Sequence, residues 1–162
     1  MKKILIINTG GTFNKTYNPL NGKLEINTYT NALDKIASKW FYDFEVLHII
    51  GKDSLEMTNQ DRLELLGTIS QSSYHSFIVI HGTDTMDISA AYIDEAGLEK
   101  EILFTGAMVP YSIDPVEATA NFASAYGYMQ ALKKDGVYIA MNGIIDKYHK
   151  IKKDRKKGKF IL

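Results

Sequence analysis

Five short apolar runs, each closed by a cluster of glycine, hydroxyl and amide residues, limit the architectures open to this chain. They are Ile4 to Ile7, Phe44 to Ile50, Phe77 to Ile80, Ile102 to Phe104 and Val137 to Met141. Runs of this length and β-branched character, without strict alternation, are expected of strands buried on both faces. Between them lie stretches with helical spacing, at about Thr30 to Trp40, Asp61 to Ser72, Met86 to Leu98 and Val116 to Lys133. Strands alternating with helices predict βαβ units. The expected fold is therefore an α/β, three-layer, doubly wound domain, with a mostly parallel sheet of about five strands and helices on both faces.

Local signals sharpen the boundaries. Thr58, three residues before Asp61, reads as a helix N-cap with an acid in the first turn. Pro115 suits the first turn of the last helix, where a missing amide hydrogen matters little. Asn18-Pro19-Leu20-Asn21-Gly22 breaks the rhythm and predicts a turn or hairpin after the first strand. The 162 residues are read as one domain, and no internal repeat is visible. Lys147, Lys150, Lys152, Lys153, Arg155, Lys156, Lys157 and Lys159 make the last segment basic, and most of these side chains are expected to be solvated.

Nineteen basic and nineteen acidic residues cancel, so no global field draws the chain toward nucleic acid or a membrane surface. A salt-sensitive docking arm at the basic end is a weaker reading, because Tyr148 is the sole aromatic interleaved there. Cysteine is absent, which excludes disulfides, thiolate catalysis and cysteine-ligated metals. No apolar run is long enough to span a bilayer, and Met1-Lys2-Lys3 leads straight into a strand without a cleavage site, so a cytoplasmic location is expected.

In open α/β sheets ligands bind beyond the carboxyl ends of the strands. There the sequence places Thr9-Gly10-Gly11-Thr12, Gly51-Lys52-Asp53-Ser54, His81-Gly82-Thr83-Asp84-Thr85, Thr105-Gly106-Ala107-Met108 and Asn142-Gly143. Any one of these loops has a bland reading as a positive-φ glycine or a helix cap. Five together point to a site. Neither a dinucleotide fingerprint nor a P-loop is present, so nucleotide binding is rejected. His81 lacks partner histidines at ligand spacing, and it is read as a hydrogen-bonded core residue.

Thr9-Gly10-Gly11-Thr12 and His81-Gly82-Thr83-Asp84-Thr85-Met86, in this order and separation, resemble the two signature motifs of the bacterial-type L-asparaginase family. Thr105-Gly106-Ala107-Met108 and Asp53-Ser54 match as well. The resemblance covers essentially the whole chain and ends where that family's larger, amino-terminal domain ends. It implies that Thr12 is the nucleophile attacking a side-chain amide, and that Thr83, Asp84 and a downstream lysine form a second hydrogen-bonded group. Counting without gaps from Met141-Asn142 places that lysine at Lys153, with Ile151 supporting the register.

On this reading Gly11, Ser54, Gly82 and Ala107 contact substrate, with Ser54 at its α-carboxylate and amides near Thr12 and Ala107 facing the developing oxyanion. The substrate is asparagine or a related small amide, the products are aspartate and ammonia, and no cofactor or metal is called for. Asp84 orients the group or binds a substrate ammonium, while Lys153 acts through Thr83, and the sequence leaves these roles undivided. The family's mobile-loop tyrosine has Tyr17 as its nearest counterpart, at unmatched spacing. Leu55 stands where many members carry glutamine, which predicts altered amino-acid recognition. The family's smaller carboxy-terminal domain is not represented, so homo-oligomeric closure of the site is expected by analogy. The alternative is a non-catalytic amino-acid-binding or regulatory domain derived from an asparaginase.

Overall fold

A computed structural model describes residues 1–29 and 31–162. Along the chain run β1 (Ile4–Gly10), β2 (Lys15–Asn18), β3 (Lys23–Ile26), α1 (Ala32–Trp40), β4 (Glu45–Lys52), α2 (Asn59–Gln71) and β5 (Ser76–Ile80). Next come α3 (Met86–Asp94), β6 (Glu101–Thr105), α4 (Pro115–Ala131), β7 (Gly136–Met141), β8 (Ile144–Lys147), β9 (Lys152–Asp154) and β10 (Lys159–Ile161). The expected beginning of the first helix at Thr30 lies outside the described residues.

The main sheet has six strands in the order β4-β1-β5-β6-β7-β8. The first five are parallel, and β8 adds an antiparallel edge through pairs such as Ala140 with Ile145. Side chains alternate across the sheet, as the pleat requires. Ile4, Ile6, Ile78, Ile80, Leu103 and Ala140 face α1 and α4, where Leu33, Ile36, Phe122 and Met129 cover them. Ile7, Phe77, Val79, Ile102, Phe104 and Ile139 face α2 and α3, against Leu65, Ile69, Met86 and Ile93. Both faces of the sheet are thus buried, which is why the strands read as unbroken apolar runs. No helix among the described residues is long and apolar enough to cross a membrane.

From β1 the chain passes to β4 on one side and then, through α2, to β5 on the other. The loops after β1 and β5 therefore part at the point where the strand order reverses, and a crevice forms there.

Helix α2 begins as expected. Thr58 Oγ1 accepts from the Asp61 amide at 3.3 Å, and the Asp61 carboxylate accepts from the Thr58 amide at 2.7 Å. Burial of Asp61 opposes its charge, yet Lys52 and the Thr58 donors outweigh it and hold the carboxyl below its usual range. Thr58→Ala removes part of this box, and a loss of about 1 kcal/mol is expected from the urea midpoint. Pro115 occupies the first turn of α4 behind the Asp114 cap. The turn at residues 18–22 closes the hairpin of β2 and β3.

The basic segment departs from the expectation of a solvated tail. Most of its lysines do face water, but β9 pairs with β10, and Ile151 and Phe160 are buried against the α2 and α3 face. Two apolar side chains thus pin a backbone whose charge dominates its composition.

Candidate active site

The turn after β1 is fixed from the inside. Phe13 and Asn14 are buried, and Asn8 and Asn14 exchange amide hydrogen bonds of 3.0 and 2.6 Å. Asn14 also donates to the Gly10 carbonyl at 2.8 Å. This leaves Thr12 half-buried at the head of a single 3-10 turn, and its hydroxyl makes no hydrogen bond among the described residues.

Two further loops stack on this turn. At the end of β4 the pairing with β1 slips, with Asn8 opposite His48 but Gly10 opposite Lys52, and Ile50 and Gly51 take φ values of 66° and 72°. A β-branched residue rarely adopts that conformation, and a bulge of this kind re-aims the chain beyond it. The residues so re-aimed are Asp53 and Ser54. The Ser54 Oγ accepts from the amides of Asp84 and Thr85 at 3.1 and 3.3 Å, and Thr85 Oγ1 donates to the Ser54 carbonyl at 2.7 Å. Gly11 and Gly82 let the backbones meet. A Cβ on Gly11 would lie 2.5 Å from Gly82 Cα, and one on Gly82 would lie 2.6 Å from Ser54 Cβ. Three of the residues singled out from sequence, Gly11, Gly82 and Ser54, thereby form one packed column beside Thr12.

Lys153 comes from β9, whose register is held by Phe160, with the Phe160 amide donating to Asn142 Oδ1 at 3.0 Å. Its ammonium donates to Thr83 Oγ1 at 2.9 Å and to Asp84 Oδ1 at 2.8 Å. Thr83, Asp84 and Lys153 are therefore one hydrogen-bonded group, as counted from the sequence. A fourth member was not foreseen. Arg155 reaches Asp84 Oδ1 with Nη1 at 2.6 Å and the Asp84 carbonyl with Nη2 at 2.8 Å. Lys153 first, and Arg155 with it, hold the Asp84 carboxyl below its usual range against a smaller opposing effect of burial. Asp53 is paired with Lys15 at 2.7 Å. Burial opposes its charge, but Lys15 and the Leu55 amide prevail and lower its pKa.

The Ala107 loop is tied down by α4. Glu117 accepts from the amides of Met108 and Val109 at 3.0 and 2.8 Å, and Asn121 donates to the Gly106 carbonyl at 3.0 Å. Ala107 itself is buried. Tyr17 lies in β2, exposed, and no hydrogen bond links it to Thr83, Asp84 or Lys153. Thr9 and Thr105 are structural: their hydroxyls donate to the carbonyls of Ile80 and Ala140 in neighbouring strands at 2.8 and 2.9 Å. His81 is wholly buried, and its Nδ1 donates to the Gly82 carbonyl at 2.7 Å.

One grouping with metal-binding donors was invisible to sequence spacing. At the opposite end of the sheet, ligand atoms of His75, Glu101 and Asp135 lie within 4.8 Å of one another. The Lys2 ammonium already contacts both Glu101 oxygens at 2.6 Å, and Ser76 Oγ donates to the same carboxylate at 2.6 Å. A protein cation thus holds the place a metal would need.

At the switch point of an open α/β sheet the chain thus brings together a threonine, a lysine–threonine–aspartate group and a packed glycine column. The chain belongs to the asparaginase family: the family's amino-terminal domain, described as "Asparaginase, N-terminal", matches residues 3–158. A probable periplasmic L-asparaginase of Haemophilus influenzae is 30% identical over 156 residues, covering 88% of this chain and 43% of that protein. L-asparaginase 2-3 of Saccharomyces cerevisiae is 26% identical over 145 residues, covering 84% of this chain and 40% of the yeast protein. Among solved structures, the thermostable L-asparaginase of Thermococcus kodakarensis superposes with a TM-score of 0.84 at 20% identity, over 99% of this chain and 51% of that one. L-asparaginase I of Vibrio cholerae gives a TM-score of 0.79 at 21% identity over the same shares. The chain spans about half the length of the proteins it matches.

Proposed function

We propose that this chain carries an amidohydrolase site that converts asparagine or a related small side-chain amide to the acid and ammonia, with Thr12 as nucleophile. The observation that supports it most is the Lys153 ammonium bridging Thr83 Oγ1 and Asp84 Oδ1, on a loop packed through Gly82 against the turn that presents Thr12. A free, half-buried hydroxyl beside an ordered proton-handling group is what nucleophilic attack on an amide requires.

In this reading Thr12 Oγ1 attacks the amide carbon and its proton leaves toward solvent or the Thr83–Lys153 pair. As drawn by its bonds Lys153 is a donor to both partners, so it accepts a proton through Thr83 only after shedding one. The tetrahedral oxyanion is met by backbone amides of the Thr12 turn and the Ala107 loop, whose positions Asn14 and Glu117 secure. The C–N bond breaks as the proton released by Thr12 is delivered to the leaving nitrogen, so that ammonia departs, and water then cleaves the acyl–Thr12 ester to give the acid and the free hydroxyl. Self-association that covers the crevice would keep it dry and strengthen these electrostatic effects.

Ammonia release from millimolar asparagine and glutamine, measured beside light scattering, tests this. Release by the wild-type chain, absent in Thr12→Ala and in Thr83→Val, is the expected result. Aspartate-induced stabilisation with no release from any of the three would instead support a binding domain.

A further inference from the structure

We infer that Arg155 biases this site toward small ω-amides that carry a carboxylate but no α-ammonium, such as succinamate, over α-amino acids. The inference rests on the amidohydrolase reading for its turnover arm and stands on binding without it.

An α-amino acid brings a cation that must meet a carboxylate. On the loops around Thr12, three carboxylates are already engaged, while Glu56 and Asp87 stay exposed to solvent. Asp53 holds Lys15 at 2.7 Å. Glu117 accepts from the Met108 and Val109 amides. Asp84, in the middle of the group, is bound by Lys153 at 2.8 Å and by Arg155 at 2.6 Å, both on Oδ1. Lys153 and Arg155 thus place two cations on the single Asp84 carboxylate.

Oδ2 of Asp84 has no hydrogen-bond partner among the described residues, and the side chain is 29% exposed. An ammonium arriving there would be the third cation on one carboxylate, with Lys153 and Arg155 within a few ångströms, where like charges still repel appreciably. A ligand without the ammonium keeps the attraction between its carboxylate and the Lys153 and Arg155 cations and loses the repulsion. Leu55, beside Ser54 and exposed, adds no side-chain acceptor that could take the ammonium instead.

The guanidinium is fixed at two points, the Oδ1 and the main-chain carbonyl of Asp84, so its charge stays at the crevice. Yet its side chain is 63% exposed, and Asp84 keeps Lys153 when it is removed. Arg155→Gln is therefore expected to fold, with a melting temperature close to that of the wild type.

The experiment uses two dicarboxylates that differ only by the ammonium, succinate and aspartate, titrated calorimetrically into the wild-type chain and into Arg155→Gln. Turnover of succinamate and asparagine is measured in parallel. In the wild type, succinate is expected to bind at least about tenfold tighter than aspartate, the size of one partly screened charge contact. In Arg155→Gln that ratio is expected to fall about tenfold, and the kcat/KM ratio of the two amides to move with it. Equal or tighter binding of aspartate by the wild type, an unchanged ratio in the variant, or no binding of either dicarboxylate would overturn the inference. Binding in the expected order without turnover would remove the hydrolase reading and leave this one standing. Turnover with aspartate preferred would do the reverse.

Discussion

Gly11→Ala is expected to destabilise the fold by about 3–5 kcal/mol and to abolish any ammonia release, because two independent penalties meet at that position. Gly11 has φ 77°, and the new methyl would lie 2.5 Å from both the amide nitrogen and the Cα of Gly82. Neither neighbour is a side chain that can swing away. The loops after β1 and β5 must separate, and with them Thr12 from the Thr83–Lys153 group. Gly97 supplies the control, since it too has positive φ, 62°, but nothing lies within 4 Å of its added Cβ. Gly97→Ala should therefore show the conformational penalty alone, about 1–2 kcal/mol. Equal urea midpoints for the two variants would mean that contact with Gly82 has no part in holding the column together.

That column shows how far the sequence could be read. The apolar runs located all five parallel strands, since a strand buried on both faces has no room for solvated polar side chains. Thr58 with Asp61, Pro115 and the Asn18–Gly22 turn were legible because each acts on its own backbone within four residues. Counting from Met141 pointed to Lys153, whose ammonium does meet Thr83 and Asp84, and Ile151 beside it is buried. The elements that escaped depend on distant partners. β8, β9 and β10 are three or four residues long, too short for a period to register, and they exist because β7 offers an edge and the α2 and α3 face accepts Ile151 and Phe160. Arg155 looked like one more solvated charge, and only the hairpin reveals that it returns to Asp84, seventy-one residues away. The Ile50 bulge is likewise a tertiary fact, as nothing in a run of isoleucines announces positive φ.

The histidine at the heart of the second signature motif carries the other large prediction: acidification from pH 6.5 to about 4 should cost this protein about 3 kcal/mol of stability. Burial comes first among the causes that push the His81 imidazole down to about 4; the Gly82 carbonyl opposes it, Arg62 adds to it, and Asp53 and Asp87 pull the other way by less. Nδ1 gives its hydrogen to Gly82, so the lone pair of the neutral ring is on Nε2, which is buried without a partner among the described residues. A proton added there would have no acceptor. In the unfolded chain the same ring titrates near its ordinary value of 6.5, so between the two values the unfolded state binds the extra proton. The stability due to this ring is therefore complete above pH 6.5, declines as pH falls toward 4, and is fully lost below. The Asp53, Asp61 and Asp84 carboxyls, all lowered, act in a separate window, since their contribution is present above about pH 4 and disappears below it. His81→Phe keeps a ring against Phe104, which now meets His81 at 5.7 Å between centroids, and removes the titration. The variant loses the Gly82 hydrogen bond and should be less stable at about pH 7, so the telling quantity is the slope. Urea denaturation at half-unit steps should give a stability that falls from about pH 6.5 to about 4.5 in the wild type and runs nearly flat in His81→Phe; parallel slopes would show that the buried ring is already charged or that acid unfolding begins elsewhere.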